Sequence, residues 1–216
     1  MGLNKSTGNM YEFITHTWNT IKGECPHGCT YCYMKRWGKQ KPPRFDSSEL
    51  QTDLGQGNYI FVGSSCDMFA EGIPPEWITR TIEHCDKYNN KYFFQSKDPR
   101  NIPFNIPVES SICTTIETNR WYPEFMMNAP EIERRVYGMI CFEDTPKYVT
   151  IEPIMDFDLI ELIDYIYDCK PNQVNIGADS MKKNIPEPKT WKIIELIAEL
   201  EKFTVVHQKS NLKRLL

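Results

Sequence analysis

Cys25, Cys29 and Cys32 stand within Gly23-Glu24-Cys25-Pro26-His27-Gly28-Cys29-Thr30-Tyr31-Cys32-Tyr33, a C-x3-C-x2-C triplet in one short loop. Thiolates at this spacing can hold three irons of a [4Fe-4S] cube, which ordinarily takes four Cys ligands. The next Cys is Cys66, so no fourth ligand is supplied nearby. One iron is then open to a non-protein ligand, and such a cluster can bind and activate a substrate as well as carry electrons. Zinc is the first alternative. Zinc sites pair C-x2-C with a second ligand pair downstream, and none follows here. A disulfide framework fits poorly, because no segment reads as a signal peptide and the remaining Cys are scattered singly through the chain.

The triplet resembles the signature of the radical S-adenosylmethionine (SAM) superfamily. In that superfamily the amino and carboxylate groups of SAM chelate the open iron, and reductive cleavage of SAM starts radical chemistry. Thr17-Trp18-Asn19, Gly63-Ser64-Ser65-Cys66-Asp67-Met68-Phe69 and Thr150-Ile151-Glu152-Pro153 extend the likeness. Together they resemble the phage- and prophage-associated radical SAM family that is distantly similar to spore photoproduct lyase. The resemblance implies two cofactors, a [4Fe-4S] cluster and SAM, and an external one-electron reductant. It places Tyr31 near the adenine. It sets Gly63, Ser64 and Ser65 where the superfamily usually has Gly-Gly-Glu, whose carbonyls accept from the SAM ammonium. This chain lacks that Glu, so a Ser hydroxyl or Asp67 is expected to substitute.

The elements that must position these residues read as alternating strands and helices. Strands are expected at 13–18, 59–62, 91–95, 111–116, 148–151, 174–176 and 203–206. Helices are expected from Pro75 through Cys85, from Pro130 through Met139, over 158–168, and from an N-cap at Thr190 with Trp191, Ile194, Ile197 and Leu200 inward. Strands alternating with helices argue for βα units around a parallel sheet. A closed (β/α)8 barrel needs about 250 residues. At 216 residues the expectation is one α/β domain over 1–216, a partial (β/α)6 TIM-like barrel, which is also the radical SAM core.

Sites of parallel β/α proteins sit at the C-terminal strand ends. Lys97 ends the third strand and is expected to neutralise the SAM carboxylate. Glu117 ends the fourth and is expected to accept from the ribose hydroxyls. Glu152, followed by Pro153, is expected to point into the barrel mouth toward SAM or substrate. Asn175, Asp179, His207 and Lys209 are placed around the substrate. Cys141 is a candidate hydrogen-atom donor, although Gly138-Met139-Ile140-Cys141-Phe142 reads more readily as buried helix packing. The same buried role suits Cys66, Cys85, Cys113 and Cys169.

No run of about 18 apolar residues is present, so no membrane span is expected. Thiolate ligands and single Cys point to a reducing, cytoplasmic setting. A net charge of −4 argues against a generic nucleic-acid coat. Charge is uneven, however: Lys35, Arg36, Lys39, Lys41 and Arg44 follow the triplet with no acid between Tyr33 and Phe45. A nucleotide or nucleic acid near Lys35–Arg44 is therefore the expected substrate. Two alternatives stay open. One is an enzyme acting on SAM itself or a small metabolite, which needs no large opening and which closure of the mouth by Trp121 and Tyr122 would favour. The other is a non-catalytic, metal-stabilised binding module.

Overall fold

The computed structural model describes residues 2–7 and 11–216. Its strands are β1 (Asn4–Lys5), β2 (His16–Trp18), β3 (Ile21–Lys22), β4 (Arg44–Phe45), β5 (Tyr59–Val62), β6 (Lys91–Gln95), β7 (Ser110–Thr115), β8 (Lys147–Ile151), β9 (Gln173–Ile176) and β10 (Val205–Gln208). The main sheet runs β1-β2-β5-β6-β7-β8-β9-β10, with β3 and β4 forming a separate ribbon. From β2 to β10 every pair in the main sheet is parallel; only β1 adds antiparallel. The chain is thus an α/β partial TIM-like barrel, as its alternation of elements predicts.

Helices α1 (Pro75–Cys85), α2 (Pro123–Met126), α3 (Ile132–Ile140), α4 (Leu159–Cys169) and α5 (Thr190–Leu200) fill the crossovers. The outward residues of the strands, including Ile60, Val62, Phe94, Ile112, Val149, Ile151 and Ile176, share one core with the inner faces of these helices. That double cover explains why the central strands read as continuous apolar runs rather than alternating ones. The inward residues divide by height. Phe61 and Phe93 pack with Tyr11, Phe13, Tyr59 and Tyr148 into an aromatic plug inside the barrel. Nearer the strand ends, Gln95, Thr115 and Thr150 face open space.

Two details depart from expectation. Thr190 is the first residue of α5 rather than its cap, and its hydroxyl donates to the Leu215 carbonyl at 2.7 Å. The buried stripe of α5 is Ile193, Leu196, Ile197 and Leu200, while Trp191 and Ile194 face out. Ile193 and Leu196 thus take the inward places expected of Trp191 and Ile194. No helix is long and apolar enough to cross a membrane among the described residues.

Candidate active site

The Cys loop hangs between β3 and the short helical turn Tyr33–Trp37, and it is tied down on two sides. Toward α2, Thr30 N–H donates to the Phe125 carbonyl at 2.9 Å and Asn128 N–H to the His27 carbonyl at 3.0 Å. Toward the sheet, His27 Nε2 meets Asp67 Oδ2 at 2.8 Å. Asp67 is enclosed and also accepts from Ser96 Oγ at 3.0 Å and from the N–H groups of Lys97 and Phe69 at 2.8 and 3.0 Å. Burial disfavours the His27 imidazolium, yet the Asp67 carboxylate outweighs it and raises its pKa. Held this way, Asp67 anchors the loop mainly through Oδ2, while Oδ1 accepts from Phe69 N–H and the side chain lines the cavity.

Cys25, Cys29 and Cys32 all line one cavity of about 830 Å³ at the C-terminal mouth of the barrel. Burial pushes the Cys29 and Cys32 thiols up, and a hydrogen bond with Cys66 together with burial pushes Cys25 up further. In the metal-free chain these are neutral thiols, and metal loading must displace their protons. Among the described residues no three His, Cys, Asp or Glu side chains converge on a point where a single metal ion would sit. Three thiols lining one roomy cavity leave space there for a cluster that takes three protein ligands.

Gly63, Ser64 and Ser65 form the turn after β5 on the cavity wall. Gly63 adopts φ +80°, which a side chain would strain, and an added Cβ would press on Met68 Cγ at 3.2 Å. Asn19 shapes this turn. Its Oδ1 accepts from Ser65 N–H at 2.9 Å and faces Ser64 Oγ at 3.3 Å, while Tyr33 OH donates to the Ser64 carbonyl at 2.5 Å.

Behind the wall lies a buried charge cluster. Glu117 and Arg135 are both fully enclosed, with Arg135 Nη1 donating to Glu117 Oε2 at 2.6 Å and to the Thr115 carbonyl at 2.9 Å. Lys97 Nζ and Tyr31 OH both donate to Glu117 Oε1. Burial alone would raise the Glu117 carboxyl, but Arg135 and Lys97 overcome it and hold the group at about 2. Glu117 therefore does not reach the cavity; it fixes Lys97 and Tyr31, which do.

On the other side of the mouth, Glu152 accepts from Lys209 Nζ at 2.5 Å and from Asn211 Nδ2 at 2.7 Å. Gly177 makes room for this pair, since a Cβ there would come within 2.8 Å of the Glu152 carboxyl. Lys209 Nζ also lies 4.9 Å from the centre of the Tyr11 ring. Asp179 lines the cavity too, its carboxylate accepting from the N–H groups of Met181 and Lys183 at 2.8 and 2.5 Å.

Several expected residues lie elsewhere. Cys141 is exposed just past the end of α3, outside the cavity, so it is neither buried packing nor at the mouth. Asn175 is buried against Gln173, and His207 sits 3.9 Å from Glu12 at the open edge. Trp121 and Tyr122 do not line the cavity, so the closure that would favour the small-metabolite reading is not formed by them. Cys66, Cys85, Cys113 and Cys169 are buried as expected. Arg135, Asn211 and the His27–Asp67 pair were not distinguishable from surface or turn residues in sequence. The one available signal was Arg135 at the helical spacing of Ile132, Val136 and Met139.

No family model matches the sequence, and no curated protein matches it. Solved structures do. A spore photoproduct lyase complexed with dinucleoside spore photoproduct superposes with a TM-score of 0.66 at 10% identity, covering 94% of this chain and 78% of that one. A variant of spore photoproduct lyase with bound AdoMet and dinucleoside spore photoproduct gives 0.64 at 11% identity over the same shares. The chain has the fold of spore photoproduct lyase.

Proposed function

We propose that this protein is a radical SAM enzyme that holds one [4Fe-4S] cluster on Cys25, Cys29 and Cys32 and acts on a nucleotide or nucleic-acid-related substrate. The observation that carries the reading is the meeting of the triplet and the strand ends. All three thiols open into one cavity with the Gly63-Ser64-Ser65 turn, Lys97 and Glu152. The structural neighbours add support, since one of them is bound to AdoMet and a dinucleoside.

The cluster with SAM would supply one-electron cleavage of the sulfonium and so a radical, drawing on an external reductant. The chain's own residues bind, orient and shield. The thiols give up their protons on loading and hold the cluster against the wall. Carbonyls of the Gly63-Ser64-Ser65 turn, set by Asn19, are acceptors for an ammonium group. Lys97, held in place by Glu117, is a cation for a carboxylate. Tyr31, pinned through its hydroxyl, offers an enclosed aromatic surface. The aromatic plug below keeps water from entering through the barrel floor. Lys35, Arg36 and Lys39 of the basic stretch line the cavity and suit phosphate groups.

The test is 5′-deoxyadenosine formation after anaerobic cluster reconstitution, with dithionite and SAM. Product that disappears in Cys29→Ala supports the reading. Zinc in place of iron, or a loaded cluster that leaves SAM intact with every nucleic-acid substrate tried, overturns it.

A further inference from the structure

The rim of the cavity nearest the Cys loop is built from the turn Tyr33–Trp37 and its continuation to Gln40. Lys35, Arg36, Lys39 and Gln40 line the cavity from this side. Lys35 and Arg36 are steadied by carbonyls, with Lys35 Nζ donating to Gly28 at 2.9 Å and Arg36 Nε to Tyr33 at 3.1 Å. No carboxylate pairs with Lys35, Arg36 or Lys39 among the described residues. Across the mouth Arg36 Nη2 approaches Met181 Sδ at 3.9 Å, which brings the loop carrying exposed Lys182 and Lys183 to the same rim. The acids there are Glu24 and Asp179, and the Asp179 carboxylate is occupied by backbone N–H groups.

Among these cations stands Trp37, 71% exposed, on the outer side of the turn. A single exposed aromatic is ordinary on a protein surface. Trp37 differs in its setting, flanked by unpaired cations at the lip of the candidate active site. Exposed aromatics interleaved with basic residues are the pattern of single-strand binding, where a base stacks on the ring and phosphates follow the charges. Chemistry inside a cavity also requires the target nucleotide to leave its stack, which a single strand does at least cost.

Resting on the nucleic-acid reading above, we propose that this rim is a landing site for a single nucleic-acid strand. Trp37 stacks on a base adjoining the nucleotide that enters the cavity, and Lys35, Arg36 and Lys39 meet the flanking phosphates. An acidic protein partner would satisfy the cations and leave the exposed indole without a role.

The test is fluorescence anisotropy of the cluster-loaded protein with a labelled oligothymidylate of about 12 nucleotides, a duplex of equal length, and polyglutamate as competitor. The strand should bind more tightly than the duplex. Trp37→Ala should weaken it by about 5- to 150-fold, the range of one base stack, and Trp37→Phe should retain most of the affinity. Neutralising Lys35, Arg36 and Lys39 together should remove about 2 from the slope of log affinity against log salt. Trp191→Ala, at an exposed indole on α5 away from the rim, should change nothing. Single-strand binding that Trp37→Ala leaves intact, or duplex bound as tightly as the strand, overturns the rim proposal while the nucleic-acid reading stands. Polyglutamate binding that tracks the lysines but not Trp37 assigns the rim to an acidic protein and overturns it. No binding of either nucleic acid by protein that still cleaves SAM overturns both.

Discussion

Glu117→Gln separates two roles for this residue, a ligand for ribose or the hub of a buried charge cluster. The substitution keeps the shape and removes the charge that compensates Arg135. The Arg135 side chain is 0% exposed, so its guanidinium would remain buried without a partner ion. Removing one member of such a pair costs about 3–5 kcal/mol. The depressed carboxyl has the same sign, since Arg135 and Lys97 favour its charged form in the folded chain. Urea unfolding at neutral pH should show the variant less stable by about that amount, with an unchanged slope. The sign of the pH dependence follows from the depressed pKa. The contribution is fully present above the unfolded-state value and is lost as pH falls from about 4.5 to about 2. The gap between wild type and variant should therefore narrow across that interval. A variant within about 1 kcal/mol of wild type, with a parallel pH profile, would refute the ion-pair argument. If it also bound SAM poorly, the ribose role would be restored.

Asp67→Ala should destabilise the protein by at least about 3 kcal/mol, because it strands several buried donors at about 1–3 kcal/mol each. It should also lower the iron content after reconstitution by freeing His27 and the Cys loop, measurable as iron per chain. Gly177→Ala places a methyl 2.8 Å from the Glu152 carboxyl and 2.9 Å from Asn211 Oδ1. It should lose about 1–3 kcal/mol in thermal or urea unfolding. Cys141→Ser, exposed and outside the cavity, should leave stability within about 0.5 kcal/mol and 5′-deoxyadenosine formation unchanged; a loss of product would return Cys141 to the site.

The parts of this architecture legible in sequence were those with local signatures. Strands β5, β6 and β8 follow short β-branched and aromatic runs that stop at Gly, Ser or Glu-Pro, and the cavity residues Gly63, Lys97 and Glu152 fall at those stops because strand ends are where such runs break. The Cys triplet is legible because three ligands share one loop. What stayed hidden depends on distant pairs. Glu117 looked like a free acid until α3 delivered Arg135 beneath it. Nothing around Asp67 in sequence showed that His27 and the turn after β6 share its Oδ2. In α5, Ile197 and Leu200 face inward as expected, but Ile193 and Leu196 do so in place of Trp191 and Ile194, because packing decides which apolar residues are covered, and the expected cap at Thr190 is spent on the Leu215 carbonyl. No local pattern encodes which of two neighbouring residues caps a helix when a tertiary bond decides it.

The charge layout bears on what each part of the site can select. Within the mouth every cation lies against a carboxylate: Lys97 with Glu117, Lys209 with Glu152, and His27 with Asp67. A purely anionic ligand would have to compete with those carboxylates, and Glu117 cannot move away to solvent because Arg135 holds its other oxygen. A group carrying both an ammonium and a carboxylate offsets that cost, since its ammonium can donate to the turn carbonyls while its carboxylate shares Lys97 with Glu117. The unpaired cations lie outside, on the rim at Lys35, Arg36 and Lys39. On the proposed function, recognition of polyanions would then be kept at the rim and recognition of a zwitterion inside. Salt should separate the two. Interior binding between compensated, partly buried groups is weakly screened, whereas rim binding releases counterions and is strongly screened. Raising ionic strength should therefore weaken strand binding steeply and leave SAM affinity nearly constant. Parallel losses of both would mean that the cations inside the mouth are exchanging partners, and that the division of labour between rim and interior is wrong.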